Sequence, residues 1–138
     1  MNRSEKFGRR AGFTKLELIT VIVVIGAFAV ITIPHVVRAR DRGQVGAAQY
    51  DLTAIRHVLA AYAADCDSYP PAIASYEEFR QLMAGAYDRP GGTLPSGKSF
   101  RWVSYNTNRK GNYLLIVQAL DNRKTIIKAT ANGIQIGR

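Results

Sequence analysis

The chain divides by its pattern of apolar and polar positions. Residues Phe13 to Ile33 are almost unbrokenly apolar, interrupted by Lys15, Glu17, three threonines and Gly26. As a helix, this stretch is about 32 Å long, enough to cross the hydrocarbon core of a bilayer. Beyond Pro34 the pattern becomes one-sided. Val45, Ala48, Leu52, Ile55, Leu59 and Tyr62 follow at spacings of three and four, the signature of an amphipathic helix. Together the two stretches predict one helix over Phe13–Asp65, with polar Arg40, Gln44, Asp51 and Arg56 on its other faces. The stripe is the seam on which a head domain packs. Tyr-Pro-Pro at 69–71 bars any continuation of the helix.

The remaining pattern is short and mixed. Ser75-Tyr76-Glu77-Glu78 is a capping box that opens a short helix to about Ala84, with Gly85 as its stop. Residues 86–98 read as a loop. Ser99–Tyr105 predicts a strand with Phe100 and Trp102 on one face. Asn112–Leu120 predicts a very apolar central strand, Lys124–Ala131 a third, and Ile134–Ile136 a short fourth. Asn132-Gly133 predicts a type I′ hairpin turn. The fold class expected is α+β: a long N-terminal helix, half membrane-embedded and half amphipathic, on an antiparallel sheet of three to four strands.

Charge sharpens this picture. The formal net charge of the 138 residues is +9. Asp41 to Asp88 is acidic, with a net of −4, whereas Arg89 to Arg138 carries a net of +8. Such asymmetry suits packing of identical subunits or a basic surface for nucleic acid. The latter would use Arg101, Arg109, Lys110, Arg123, Lys124 and Lys128 among Trp102, Tyr105 and Tyr113. Cys66 is the only cysteine, so no intramolecular disulfide forms; it reads as a small, partly buried residue at a helix end. Tyr50, Tyr62 and Tyr69 read as packing residues. His35 and His57 have no metal-ligand spacing to Cys66. With no nucleophile motif or phosphate loop, the chain is expected to be structural rather than an enzyme, without cofactor or metal.

Glu17 is the residue that the apolar pattern does not explain. A carboxylate within hydrocarbon costs roughly 2.5–3.5 kcal/mol on the insertion scale. Lys15 is two positions away and points elsewhere, so the partner of Glu17 is expected in another chain. The stretch Gly12-Phe13-Thr14-Lys15-Leu16-Glu17, preceded by a basic leader and followed by an apolar run ending at Pro34, resembles the cleavage and methylation motif of type IV prepilins and the pseudopilins of type II secretion. An ordinary signal peptide, cut near Ala27-Phe28-Ala29, fits less well, because apolar character continues beyond that point. Lys15 departs from the family, which usually has an aliphatic residue there; its cation can snorkel to headgroups.

The resemblance implies a set of roles. A membrane peptidase and N-methyltransferase would cut after Gly12 and methylate Phe13. Glu17 would pair with the new Phe13 amine of a neighbouring subunit. Gly26 and Pro34 would let the helix loosen in a filament. The segments it implies are a leader (1–12), an assembly helix (13–34), an amphipathic continuation (35–66), a loop with a short helix (67–98) and a β-meander (99–138). The function implied is that of a type IV pilus subunit, most like a type IVa major pilin involved in adhesion or motility. A type II secretion pseudopilin and a DNA-binding minor pilin are the alternatives. Pseudopilins of the major class place a calcium site in a C-terminal loop, and Asp121 is the only acid here after Asp88, which weighs against that alternative. The implied partners are other copies of the chain, the peptidase, an assembly platform with its ATPase, and the inner membrane, with the assembled filament extracellular.

Overall fold

The computed structural model describes residues 12–85, 87, 94–108 and 111–137. The basic leader and Arg109 and Lys110 of the basic face lie outside the described residues, as do parts of the 86–98 loop. Helix α1 spans Lys15–Cys66 and α2 spans Tyr76–Met83. Strands β1 (Phe100–Thr107), β2 (Tyr113–Ala119), β3 (Ile126–Thr130) and β4 (Gly133–Gly137) follow. The chain forms two compact units, one ending at Val37 and one beginning at Arg38.

Among the described residues the first unit is the start of α1, preceded by Gly12–Thr14. Among described residues 12–37, every side chain is exposed except the half-buried Ala29. Two of its threonine hydroxyls are satisfied locally. Thr20 Oγ1 donates to the Leu16 carbonyl at 2.9 Å and Thr32 Oγ1 to that of Phe28 at 2.8 Å, so neither hydroxyl needs water. The helix continues through Gly26 and Pro34.

The second unit is α+β. Its sheet is a meander in the order β1-β2-β3-β4, every pair antiparallel. The amphipathic stripe of α1 packs on it: Ala48, Leu52, Ile55 and Leu59 are fully buried, joined by Val58. Opposite them stand Leu115, Val117, Ile127 and Ala129 from the sheet, with Phe79 and Met83 from α2 closing the core. β2 lies between β1 and β3, and its buried residues alternate strictly from Tyr113 to Ala119, as a strand with one face on a core requires. Full burial of a Leu or Ile contributes about 1.5–3 kcal/mol, so the stripe is a principal source of stability.

The ends of the elements follow local chemistry. α1 begins at Lys15 because Thr14 caps it. It stops at Cys66 because Asp67 takes a left-handed conformation, φ 53°, a common helix stop. In α2 the Glu78 N–H donates to Ser75 Oγ, and Glu78 Oε2 accepts from the Ala74 N–H at 2.7 Å. The reciprocal bond therefore lands one residue before the cap.

Several expectations are corrected. The ladder of β1 shifts between Trp102 and Ser104, and this bulge reverses the alternation. Tyr105, not Ser104, then continues the buried face begun by Phe100 and Trp102. β3 starts at Ile126 rather than Lys124 because Asp121 holds the turn open. Its carboxylate accepts from Thr125 N–H at 2.8 Å and Thr125 Oγ1 at 2.6 Å. The last hairpin pairs Thr130 with Gly133. Its central residues are therefore Ala131 and Asn132, neither with positive φ, and the type I′ turn expected at Asn132-Gly133 does not form. Arg56 is no outward residue: its Nε donates to the Thr130 carbonyl and its Nη2 to that of Ala131, each at 3.0 Å. Asp51 likewise turns inward, to accept from Ser99 Oγ.

Candidate functional site

The stretch Gly12–Glu17 is built by one interaction. Thr14 is the N-cap of α1 and Glu17 its third helical residue. The Glu17 N–H donates to Thr14 Oγ1 at 3.2 Å. In return, Glu17 Oε2 accepts from the Thr14 N–H at 3.0 Å and from Thr14 Oγ1 at 3.1 Å. This is a reciprocal capping box. It corrects the reading that Glu17 lacks a partner in its own chain. The Thr-x-x-Glu spacing carried the signal, as Ser75-x-x-Glu78 did for α2. Gly12 and Phe13 precede the cap outside the helix, with Phe13 exposed.

Beyond the cap, Leu16, Leu18, Ile19, Ile22, Val23, Ile25 and Phe28 all expose half or more of their surface. An exposed apolar area of this extent marks a site of interaction. The segment is long and apolar enough to cross a membrane. Gly26 has open space around it, with no atom within 4 Å of where a Cβ would stand. Pro34 lacks the N–H that would bond the Val30 carbonyl, which makes this turn the softest of the segment.

The other candidates separate. Arg101 and Lys128 are exposed, whereas Tyr105 and Tyr113 are buried and Trp102 half-buried. Strand alternation therefore puts cations and aromatics on opposite faces. The rings stack on one another instead, with Tyr105 and Tyr113 centroids 6.0 Å apart, and none is offered to a base. Cys66 is exposed rather than partly buried. Tyr50 is exposed too, so it is not a packing residue, while Tyr62 packs on Tyr87 and Tyr69 on Tyr113. His35 and His57 are exposed. The Asp65 carboxylate accepts from the Tyr87 hydroxyl at 3.0 Å. Among the described residues, no group of three or more His, Cys, Asp or Glu side chains is arranged to hold a metal ion.

Sequence reasoning missed a groove in the second unit, lined by Arg38 and Arg42 of α1 and by Arg123 and Lys124 of the β2–β3 turn. It also missed the Arg56 clamp. Both depend on pairings about 75 or more residues apart, which no local pattern reports.

Comparison with known proteins adds relatives. The chain is 34% identical over 62 residues to the type II secretion system core protein G of Pseudomonas aeruginosa, 45% of this chain and 44% of the relative. It is 32% identical over 62 residues to the protein of that name from Aeromonas hydrophila, 45% of this chain and 43% of the relative. The match to the Vibrio cholerae protein of the same name is 25% identical but longer, covering 72% of this chain and 75% of the relative. The chain thus matches less than half the length of the first two. No family model matches the chain, and no solved structure does. An exposed apolar helix behind a Gly-Phe-Thr-Lys-Leu-Glu start, an amphipathic helix on a four-stranded meander and these relatives are together consistent with the type IV pilin and pseudopilin family.

Proposed function

We propose that the chain is a pseudopilin, a non-enzymatic subunit of a type II secretion filament. One observation carries the choice: the relatives found in four bacteria all bear the name of the secretion core protein. That favours secretion over the type IV pilus, which the sequence alone put first. It outweighs the scarcity of acids after Asp88, which argued against a pseudopilin.

On this reading the chain waits in the inner membrane with 13–34 as its span. A prepilin peptidase cuts after Gly12 and methylates Phe13, and an assembly platform with its ATPase moves subunits into a homopolymer. The new amine of Phe13 pairs with Glu17 of a neighbour. Two unit charges at about 4 Å attract by about 4 kcal/mol at an effective dielectric near 20, which offsets desolvation only when both groups meet in register. The contact therefore sets the subunit step, and the apolar side chains of 16–33 supply the cohesion. Gly26 and Pro34 give the helix freedom to adjust during assembly.

The experiment is deletion of the coding region in the native host, followed by measurement of proteins in the culture supernatant and of surface fibres. Loss of secreted proteins with fibres intact is expected. Loss of fibres with normal secretion would return the chain to the type IV pilus. Mass spectrometry of the mature chain tests the processing: it should begin at N-methylated Phe13.

A further inference from the structure

The second unit contains an open groove of about 540 Å³ that the proposed function leaves unused. Its walls are the first turns of α1 in this unit and the Asp121–Thr125 turn between β2 and β3. Arg38, Arg42, Arg123 and Lys124 line it, with apolar Val45 and Ile136 behind them. We propose that this groove binds the phosphate of an anionic phospholipid headgroup while the chain is in the membrane.

Three observations carry the proposal. The first is charge. The four cations outnumber the two carboxylates of the lining, Asp41 and Asp121, for a net of +2, and both carboxylates already hold hydrogen bonds. The Asn122 N–H donates to Asp41 Oδ1 at 3.3 Å, and Asp121 accepts from Thr125 N–H and Oγ1. Among the described residues no ion pair or side-chain hydrogen bond engages any of the four cations. Guanidinium groups bind phosphate oxygens through paired N–H donors, so two or more around one cavity suit that chemistry.

The second is the shape of the turn. Lys124 holds a left-handed backbone, φ 53°, unusual for a residue with a long side chain. The Asp121–Thr125 bonds and the bond from Lys124 N–H to the Asp121 carbonyl at 3.1 Å impose it. A built turn that places two adjacent cations on a cavity wall is a fixed feature, not a tail of loose charges.

The third is position along α1. Arg38 is the first charged residue of the helix after Glu17. The apolar segment 13–34 is by itself long enough to cross the hydrocarbon core. Arg38 and Arg42 follow its end by four and eight residues, where a chain leaving the core meets headgroups. The inference rests on the reading of 13–34 as a span and not on the pilin assembly step. Val45 and Ile136 give a glycerol backbone an apolar wall, which a free phosphate ion would not use.

The test uses the full chain in mixed micelles of phosphatidylcholine and phosphatidylglycerol, with retained lipids identified by native mass spectrometry. The chain should keep phosphatidylglycerol in preference. Arg123→Gln with Lys124→Gln should lower that preference, by roughly fivefold for each cation removed, and Arg38→Gln alone by a similar single step. Arg101→Gln with Lys128→Gln removes equal charge from the sheet surface and should change nothing. Circular dichroism melts check that each variant is folded. Equal loss in both double variants means general surface charge and overturns the proposal. So does displacement by inorganic phosphate, which would make this a free-ion site. Unchanged lipid preference with lost self-association in the Arg123/Lys124 variant would assign the groove to an acidic surface of a second copy, again overturning it. A wrong N-terminus in the processing test would leave this result untouched, so the two readings fail separately.

Discussion

Two stretches of the same helix carry large apolar side chains to opposite fates. From Leu16 to Ile33 the large apolar side chains are exposed; from Ala48 to Leu59 their counterparts are buried under the sheet. The first is the more apolar, with Glu17 its only charge, but arrangement matters as much as hydrophobicity. In the second stretch apolar residues keep to one face, and the chain supplies a sheet to cover that face. In the first they occupy every face, and no single sheet can cover a helix all round. Only lipid or several other helices can. The lesson is that the first stretch is designed for a surrounding that the chain does not itself provide, while the second completes its own.

The largest effect that separates them is on stability. Leu52→Ala should cost about 2–5 kcal/mol by leaving a cavity in the head core, read in denaturant or thermal melts. Ile22→Ala, removing a comparable side chain, should leave the melt of the head unchanged. Equal losses would mean that the two stretches are not independent.

Next comes the clamp that ties α1 to the last hairpin. Arg56→Ala removes two charge-assisted hydrogen bonds and leaves the Thr130 and Ala131 carbonyls without their partner. About 1.5–3 kcal/mol should be lost. Arg56→Lys should recover part of it, since a lysine cannot reach both carbonyls with the same fork.

A smaller effect depends on pH. Burial pushes Tyr105 up to about 12, and it does the same to Tyr113 against the opposing pull of Arg56. Each group keeps its proton longer folded than unfolded, where the phenol titrates near 10. Their contribution is therefore complete below about pH 10 and is lost as pH rises from 10 towards 12. Head stability should fall across that window, and Tyr113→Phe should flatten the fall. At the acid end, burial raises Asp121, but the bonds from Thr125 outweigh it and hold the carboxyl below its ordinary range. Its contribution is lost only as pH drops below about 4.

Much of this was legible in the sequence, and the reasons are physical. The stripe from Val45 to Tyr62 fixed the buried face because helix period alone decides it. The β2 strand was plain because every residue of Tyr113–Ala119 but Gln118 is apolar. The features that escaped were those set by long-range pairing. The bulge beside Val103 cannot be seen in an alternating strand, and neither can the carbonyls that draw Arg56 inward. Gly97 reads as loop glycine, yet its φ of 72° and the Tyr76 ring against its missing side chain make it irreplaceable. At the candidate site, Gly12, Phe13 and Glu17 stood out by spacing. Thr14 escaped because Glu17 was weighed as a membrane charge and not as the far end of a capping box.

That capping box gives the assembly claim a sharp alternative. In the single chain Glu17 is bound by Thr14; in the polymer the claim is that a neighbour's amine engages it. A map of the native filament at side-chain resolution tests this directly. The account predicts each Glu17 carboxylate within hydrogen-bond distance of the Phe13 amine of an adjacent subunit. A filament in which every Glu17 stays on its own Thr14, with no neighbouring cation, would contradict it.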